Sequence, residues 1–349
     1  MRVVLTGVPF AGKSTLFSAI SGLPPAAPGD PSMHGAVVSV PDERLDWLAS
    51  LYNPRKVTQA TIDCLDLPGL DFSDGTGRAL ARRLLDGVRT ADMFVLVVRA
   101  FGEGADPAGE LRDLRAEFVL ADLELVAVRI ERLGEKKGKP QWRRERDGAE
   151  LDLQLRLQEV LESERPAAEA IRTAEEGALV RQLNLLTMKP MAVVVNAGEG
   201  REDPASETAV TAAAAGAPVV RLSASLEREI AELPEGDRAE FMAALGVETP
   251  AAARFVRLCY ETLGLISFLT VGEDEVRAWT IPRGTPAVEA AGRIHSDIRR
   301  GFIRAETISY AAIREFGDEK AVRAAGRARL EGKQYIVADG DIISFRFSV

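Results

Sequence analysis

The residues from Gly7 to Ser14 have the types and spacing of a loop that wraps a phosphate group. They read Gly7-Val8-Pro9-Phe10-Ala11-Gly12-Lys13-Ser14, which matches G-x-x-x-x-G-K-[ST]. In such a loop the glycines let backbone N–H groups surround a β-phosphate, and the lysine reaches the β- and γ-phosphate oxygens. The Ser14 hydroxyl is placed to bind Mg²⁺, and the helix that follows directs its positive end at the anion. We therefore predict nucleoside triphosphate binding with Mg²⁺ through Gly7, Pro9, Phe10, Ala11, Gly12, Lys13, Ser14 and Thr15.

A second set of candidate groups follows the predicted strand Thr61–Leu65. The segment Asp66-Leu67-Pro68-Gly69 ends that strand. A carboxylate at this place in a phosphate-loop fold holds the metal, usually through water, and the glycine N–H contacts the γ-phosphate. We therefore predict Ser14 and Asp66 as metal ligands, with Lys13 and Gly69 acting on the γ-phosphate. The tetrapeptide alone is also a common turn, and its meaning depends on its position after the phosphate loop.

Two further segments could contact a nucleotide base. Asn196-Ala197-Gly198-Glu199 follows an apolar strand, where guanine-reading proteins carry N-K-x-D, and Ser223-Ala224-Ser225 follows the next strand. The Glu199 side chain is one methylene longer than Asp, so guanine selectivity should weaken and adenine becomes acceptable. We predict contacts from Asn196, Glu199, Ser223, Ala224 and Ser225. Plain helix-start turns remain an alternative for both segments.

The length, charge and cysteine content of the chain predict the kind of protein that carries these groups. The chain has 349 residues, 46% of them hydrophobic, and a net charge of −9. This length predicts two or three domains of a soluble globular protein, and the acidic balance argues against a general affinity for nucleic acid, although a local basic patch could still bind it. No uncharged apolar run approaches the roughly 18–20 residues that span a bilayer, and no leader-type segment is evident. With only two distant cysteines, Cys64 and Cys259, we expect no disulfide framework, a cytoplasmic location and a core position for Cys64.

The order of apolar patterns predicts an α/β fold with two additions. Residues 1–112 and 189–245 alternate strand-like and helical segments, as a parallel α/β sheet does. Residues 113–188 have helical spacing throughout and predict an inserted pair of long antiparallel helices. Residues 265–349 predict a small β-grasp-like module with a helix over Thr285–Gly301 and two strands around the Asp339-Gly340 turn.

A basic segment joins the two predicted long helices. It contains Lys136, Lys137, Lys139, Arg143, Arg144 and Arg146. A solvated charged turn and a partner-binding tip are both compatible with this pattern.

The four motifs, in this order, are similar to those of a translation-factor-type P-loop GTPase domain, and the N-x-x-E base motif resembles the YchF family of Obg-like P-loop ATPases. Residues 117–124 resemble the family's coiled-coil stretch, and Glu275–Ile281, Ala290–Asp297, Gly301–Glu306, Leu330–Lys333 and Asp339–Asp341 resemble its TGS domain. The resemblance implies a P-loop NTPase (G-domain) with an α-helical coiled-coil hairpin and a C-terminal ubiquitin-like TGS domain. It implies ATP binding with GTP tolerated, Mg²⁺, slow hydrolysis and ribosome association, with no membrane.

The chain departs from the family in the parts that govern hydrolysis. The family carries a histidine after the strand that ends at Arg99, whereas residues 100–107 have none. Its first switch carries a Thr for magnesium, whereas residues 28–34 offer Asp30 or Ser32, and residues 71–77 are acidic rather than rich in Gly and Lys. The position after D-x-x-G is glutamine in Ras-like switches and hydrophobic in this family. Leu70, which we count with the catalytic positions, agrees with the family in this respect. His34 could be a relocated water-orienting group or an ordinary solvated loop histidine, and we expect His295 to be a surface or partner contact on a helix.

Three candidate functions differ in how well they account for these residues. The first is an ATP- or GTP-hydrolysing switch near the ribosome, with a ribosomal or rRNA contact through the TGS domain and the basic tip. The second is a nucleotide-gated binding protein with little or no hydrolysis. A small-molecule kinase, the third, has no use for the Asp66, Asn196 and Ser223 segments. We expect a monomer that binds neither DNA nor membranes.

Overall fold

The computed structural model describes residues 1–27, 29–135, 141–198 and 204–348, including all side chains in these ranges except those of residues 141–146. The described chain forms two compact units. The first unit comprises Met1–Ala36 and Asp63–Ala251, and the second comprises Val37–Ile62 and Ala252–Val349. Within the described ranges, no helix combines the length and the apolar character needed to cross a bilayer.

Helices and strands alternate along most of the chain. Up to residue 162 the elements are β1 (Arg2–Thr6), α1 (Lys13–Ser21), β2 (His34–Ser39), α2 (Glu43–Tyr52), β3 (Lys56–Thr58), β4 (Thr61–Asp66), α3 (Gly75–Gly87), β5 (Met93–Ala100), α4 (Pro107–Gly134) and α5 (Gln141–Glu162). From there to residue 263 they are α6 (Ala174–Leu183), β6 (Met191–Ala197), α7 (Pro204–Ala214), β7 (Val219–Leu222), α8 (Ala224–Glu232), α9 (Glu235–Ala244) and α10 (Ala251–Leu263), with 3-10 turns at Ala167–Ala170 and Leu186–Met188. The remainder comprises β8 (Leu265–Thr270), β9 (Glu275–Pro282), α11 (Ala287–Ile294), α12 (Ser296–Arg300), β10 (Phe302–Ser309), α13 (Tyr310–Phe316), α14 (Glu319–Ala324), β11 (Arg329–Glu331) and β12 (Asp341–Phe347).

A six-stranded sheet of order β2-β4-β1-β5-β6-β7 carries the predicted motifs. The β1–β4, β1–β5, β5–β6 and β6–β7 pairs are all parallel, which confirms the predicted α/β sheet. Val3, Val4 and Leu5 are fully buried on β1, and Cys64 is fully buried on β4, as predicted. In a parallel sheet the carboxyl ends of the strands share one edge, so the loops after β1, β4, β6 and β7 come together there.

Two long helices, α4 and α5, occupy most of the region predicted as a helical insertion. Helix α4 begins earlier than expected, because the Asp106 carboxylate accepts the Gly109 N–H at 2.8 Å and Pro107 fits the first turn. The helices share a core cluster that contains Val126, Leu153, Leu157 and Leu161. The predicted basic tip lies at the edge of what the structure describes: Lys136, Lys137 and Lys139 are outside the described residues, as are the side chains of Arg143, Arg144 and Arg146.

The second unit is built on a sheet of order β11-β10-β12-β8-β9-β3. The predicted helix over Thr285–Gly301 is wrong in its length, because His295 is extended and its Nδ1 caps the separate helix α12 by accepting the Asp297 N–H at 3.1 Å. The predicted strand before the Asp339-Gly340 turn is also wrong. Residues 335–338 form only an isolated bridge between Ile336 and Pro286, and the Ala338 N–H donates to the Asp341 carboxylate at 2.9 Å instead of joining a ladder.

Residues 37–62 group with the C-terminal part of the chain. The Arg44 guanidinium lies 2.9 Å from the Asp339 carboxylate, and the Tyr52 hydroxyl donates to Glu319 at 2.8 Å. Strand β3 pairs in parallel with β9, and Thr58 bonds Glu275 at 2.5 Å. The division into three domains, with boundaries at 112, 188, 245 and 265, stays a prediction beside this division into two compact units.

Candidate nucleotide-binding site

The phosphate loop joins β1 to α1, as the sequence predicts. Gly12 has φ +88°, a conformation that favours glycine, and a Cβ there would collide with the Asn196 amide. A Cβ on Gly7 would collide with the Val97 carbonyl, so both glycines of the motif are required by close backbone approach. Phe10 also has a positive φ, +63°, although its side chain is 79% exposed. A bulky residue in this conformation is strained, and such strain collects at ligand-binding loops.

The Lys13 ammonium lies inside the loop. Its side chain is 5% exposed, and Nζ donates to the Val8 carbonyl at 2.8 Å. Burial lowers the pKa of Lys13 to about 8, and the charges of Asp66 and Glu110 oppose that fall. A buried cation with one carbonyl partner is ready to bind an anion, because a phosphate would supply the charge that the site lacks. Glu110, at the start of α4, was not singled out from the sequence, since only the fold brings it near Lys13.

Asp66 ends β4 with its carboxylate buried and incompletely bonded. The residue is 3% exposed, Ser14 donates a side-chain hydrogen bond to it, and Oδ1 has no partner. Burial raises the pKa of Asp66, while the Ser14 bond and the charges of Lys13 and His34 oppose the rise. An orphaned buried carboxylate oxygen beside a hydroxyl fits a hard divalent cation, which prefers oxygen ligands. The structure thus brings Lys13 and Ser14, at the start of α1, together with Asp66, at the end of β4.

The segment after Asp66 packs against the phosphate loop. A Cβ on Gly69 would lie 2.7 Å from Pro9 Cα, and the Leu70 N–H donates to the Gly7 carbonyl at 3.0 Å. The Leu70 side chain is fully buried in the core cluster with Val4 and Leu67. This position therefore offers no side-chain group to a bound nucleotide. The acidic residues after Leu70 have local structural roles. Asp71 stabilises a turn by accepting the Ser73 N–H at 2.9 Å, and Asp74 caps α3 by accepting the Gly77 N–H at 2.7 Å.

The Asn196 amide, near the end of β6, connects the loop after β1 to the start of α8. Its Nδ2 donates to the Ala11 carbonyl at 2.9 Å, and its Oδ1 accepts the Ala224 N–H at 2.9 Å. The residue is 5% exposed, so its amide is used by the protein backbone. The Ser223 hydroxyl caps α8 by accepting the Leu226 N–H at 3.4 Å, and it lies 3.1 Å from the Ser225 hydroxyl. Glu199, the predicted base-reading carboxylate, lies outside the described residues.

His34 occupies a position that the sequence left open. It begins β2 with a half-exposed side chain, and its Nε2 lies 3.0 Å from the Asp30 carboxylate. Gly35 packs directly on β4, where a Cβ would lie 3.2 Å from the Leu65 side chain. His34 is therefore held beside the end of the strand that carries Asp66, whereas the sequence alone placed it only in a loop.

Comparisons with known proteins match nearly the whole length of the chain. The family model YchF-GTPase_C, described as "Protein of unknown function (DUF933)", matches residues 265–348. The chain is 38% identical to the ribosome-binding ATPase YchF of Bacillus subtilis, over 99% of this chain and 98% of the relative. It is 31% identical to the Obg-like ATPase 1 of Caenorhabditis elegans, over 100% of this chain and 92% of the relative. The structure of the Schizosaccharomyces pombe YchF GTPase matches with a TM-score of 0.85 at 29% identity, over 99% of this chain and 97% of that one.

Proposed function

The chain belongs to the YchF family, and we propose that it is a nucleotide-binding switch protein that takes ATP, tolerates GTP, requires Mg²⁺ and hydrolyses the nucleotide slowly. The observation that carries the proposal is the meeting of Lys13 and Asp66 at one buried place. Each is at most 5% exposed, and each lacks the partners that its charge requires. A triphosphate with its metal ion would satisfy both groups at once.

Ser14 and Asp66 are the residues that would hold Mg²⁺. The unpartnered Oδ1 of Asp66 and the adjoining Ser14 hydroxyl supply oxygen ligands, and phosphate oxygens and water would supply the others. When bound, the ion neutralises charge that develops on the β- and γ-phosphate oxygens. Lys13 orients the same oxygens, and the Gly69 N–H is proposed to contact the γ-phosphate.

The base is proposed to lie against the loops after β6 and β7, with adenine preferred. Asn196 supports this role indirectly, because it fixes the phosphate loop to the backbone of Ala224. Ser223, Ala224 and Ser225 would contact one side of the base, and Glu199 its edge.

The direct test is equilibrium binding of ATP and GTP analogues with Mg²⁺, measured beside phosphate release on the same sample. We expect tighter binding of the ATP analogue and slow, Mg²⁺-dependent phosphate release. The Lys13→Ala variant should lose affinity at least about 100-fold, because two or more charge-assisted hydrogen bonds disappear. Equal turnover by the parent and this variant would contradict the proposed function. The Lys320→Ala variant, on helix α14, is the matched control for removing a lysine.

A nucleotide-gated binding protein with little or no hydrolysis is the second candidate. It is favoured by Leu70, whose side chain is fully buried and cannot orient water. This candidate predicts full affinity for Mg²⁺·ATP with negligible phosphate release, so the paired assay separates the two functions.

The proposed partner is the ribosome, as the names of the relatives state for those proteins. Charge within the chain supports a contact through the second unit, which contains the proposed TGS domain at residues 265–349. That unit has 18 Lys and Arg against 16 Asp and Glu, whereas the first unit has 26 against 37. On its sheet Arg304 and Arg346 are directly opposite each other. Like charges in opposite cross-strand positions repel. Glu306, whose carboxylate lies 3.6 Å from the Arg346 guanidinium, relieves part of this repulsion, and phosphates of rRNA would relieve the rest.

The partner proposal is tested by cosedimentation with purified ribosomes at increasing salt. We expect the double variant Arg304→Ser/Arg346→Ser to bind more weakly and with a smaller salt dependence than the parent. The variant Arg165→Ser, in the first unit, is the matched control for loss of an exposed arginine. Unchanged binding of the double variant would exclude this pair as the contact. The basic segment Lys136–Arg146 is proposed as a second contact, and we expect a cytoplasmic monomer that binds neither DNA nor membranes.

A further inference from the structure

Hydrolysis at this site needs a polar group beside the attacking water, because positioning supplies most of the catalysis in phosphoryl transfer. The identity of that group rests on the proposed function. The Leu70 side chain lies in the core, and residues 100–107 include no histidine. The Arg99 backbone N–H donates to Glu110 at 2.8 Å, and the Arg99 Nε, which has no hydrogen-bond partner, lies 3.4 Å from the same carboxylate. A guanidinium has no acceptor, so Arg99 cannot accept a hydrogen bond from the attacking water.

His34 is held at the metal-binding edge of the sheet. Strand β2 lies next to β4 in the sheet, and Gly35 packs against Leu65 and the Cys64 carbonyl. This packing holds His34 next to the end of β4, the strand whose last residue is Asp66. The His34 ring lies within electrostatic reach of the Asp66 carboxylate. The imidazole is thus on the same edge as the groups proposed to bind the phosphates.

Asp30 orients the imidazole. Its Oδ2 lies 3.0 Å from His34 Nε2, and its Oδ1 accepts the Ser32 N–H at 2.8 Å, which fixes the carboxylate. A carboxylate accepts only, so Nε2 must carry the proton, and a neutral imidazole then presents Nδ1 as an acceptor. The His34 side chain is 40% exposed, and none of the described residues bonds Nδ1. An oriented base with a free acceptor is the arrangement that activates or positions a nucleophile.

We propose that His34, oriented by Asp30, accepts a hydrogen bond from the water that attacks the γ-phosphate of Mg²⁺·ATP. The water oxygen forms a bond to the γ-phosphorus, and the bond from that phosphorus to the β,γ-bridging oxygen breaks. The electron pair of the broken bond remains on ADP. Both water protons stay with the product as dihydrogen phosphate, which then equilibrates with solvent. His34 is therefore a water-orienting residue, and Asp30 is a positioning residue that acts through it.

The first arm of the test is single-turnover hydrolysis by His34→Ala and His295→Ala variants. The chain has only these two histidines, so the second is the matched control. We expect the His34 variant to bind Mg²⁺·ATP within about threefold of the parent, because Lys13 and Ser14 are intact, but to hydrolyse it about 100-fold more slowly. The His295 variant should match the parent in both measurements. Parent-like turnover by the His34 variant, or a parent that binds Mg²⁺·ATP without releasing phosphate, would overturn the inference.

The second arm observes the imidazole directly. In ¹⁵N-histidine NMR spectra of the full chain, the His34 signals should shift on addition of Mg²⁺ with a non-hydrolysable ATP analogue and much less with ADP. The signals are assigned from the spectra of the His34→Ala and His295→Ala variants, each of which lacks the signals of one histidine. In the Asp30→Asn variant we expect a changed tautomer signature for His34 and about tenfold slower turnover at unchanged affinity, which a purely structural role would not produce. His34 signals that do not respond to the analogue would refute the assignment.

Failure of this inference is distinguishable from failure of the proposed function. If His34 has no role, Lys13-dependent phosphate release persists in the His34→Ala variant. If the proposed function is wrong, the parent shows neither nucleotide binding nor Lys13-dependent release, whatever stands at position 34.

Discussion

The two sides of the candidate site differ in how firmly the protein fixes their groups. On the binding side, Lys13, Asp66 and Asn196 are each at most 5% exposed and are set by the sheet and the loop glycines. On the side proposed to act in hydrolysis, called the hydrolytic side below, Leu70 is fully buried in the core, and His34 is 40% exposed on a strand at the edge of the sheet. The groups proposed to bind the triphosphate and its metal ion are buried at the ends of core elements, whereas the proposed water-orienting residue His34 lies on an edge strand, where substitutions disturb the core less.

The largest effect is expected from Asn196→Ala, which removes the connection between the loops of the binding side. The change leaves the Ala11 carbonyl and the Ala224 N–H without their partner, and we expect a loss of about 3–4 kcal/mol in the free energy of unfolding. Urea denaturation measures it. The Asn196→Asp variant keeps the acceptor for Ala224 and should lose clearly less. Equal stability of the parent and the alanine variant would show that the loops are fixed by other contacts.

A slightly smaller effect is expected from Leu70→Gln, which tests the hydrolytic side. Glutamine at this position would place an amide in the core where Leu70 is fully buried, so we expect a destabilisation of about 3 kcal/mol and no gain in phosphate release. The Leu70→Met variant should lose less than about 1.5 kcal/mol. Faster hydrolysis in the glutamine variant would mean that the segment can turn its side chain towards the nucleotide, and the contrast between the two sides would weaken.

The Lys13→Met variant should be more stable than the parent by about 2–3 kcal/mol at pH 7 without nucleotide. The parent buries a charged Lys13 whose pKa is lowered from 10.5 to about 8 in the folded chain. Below pH 8 the buried lysine is charged, and its full destabilising effect on the folded parent is present. As the pH rises from 8 to 10.5, the folded lysine loses its proton first, the parent gains stability and the advantage of the variant disappears. Denaturation at pH 7 and pH 10 measures the difference, and Lys13→Arg, which stays charged, should show no such convergence.

The smallest effect is expected from Phe10→Asn, a change on the rim of the binding side. Asn tolerates the left-handed conformation that Phe10 adopts at φ +63°, so we expect a gain of about 1 kcal/mol in the free energy of unfolding. The Phe10→Ala variant removes the same exposed ring but keeps a side chain that disfavours this conformation, so it should gain little. Equal gains from both variants would assign the effect to the exposed ring rather than to the backbone.

Local sequence patterns were sufficient to predict the phosphate loop, the strand before it and the helix after it, and they identified Asp66 and the family. These features could be predicted because they depend on neighbouring residues alone: an apolar run, two glycines at fixed spacing and a lysine at a helix start. The spacing of apolar residues alone predicts a helix over Lys13–Ser21 and a strand over Val219–Leu222, and the structure has both with these bounds. The predicted helix over Thr285–Gly301 failed at His295, whose own side chain starts a new helix, and no periodic pattern marks that change.

How these groups work together depends on contacts that only the folded chain makes. Asn196 bonds a carbonyl 185 residues away in sequence, and Arg44 pairs with Asp339 across 295 residues. Contacts of this range arise when strands distant in sequence become neighbours, and spacing along the chain does not report them. The position of His34 near the end of the strand that carries Asp66 follows in the same way from the neighbouring positions of β2 and β4 in the sheet. The motifs therefore specify which chemistry is available, and the sheet selects which residues can take part in it.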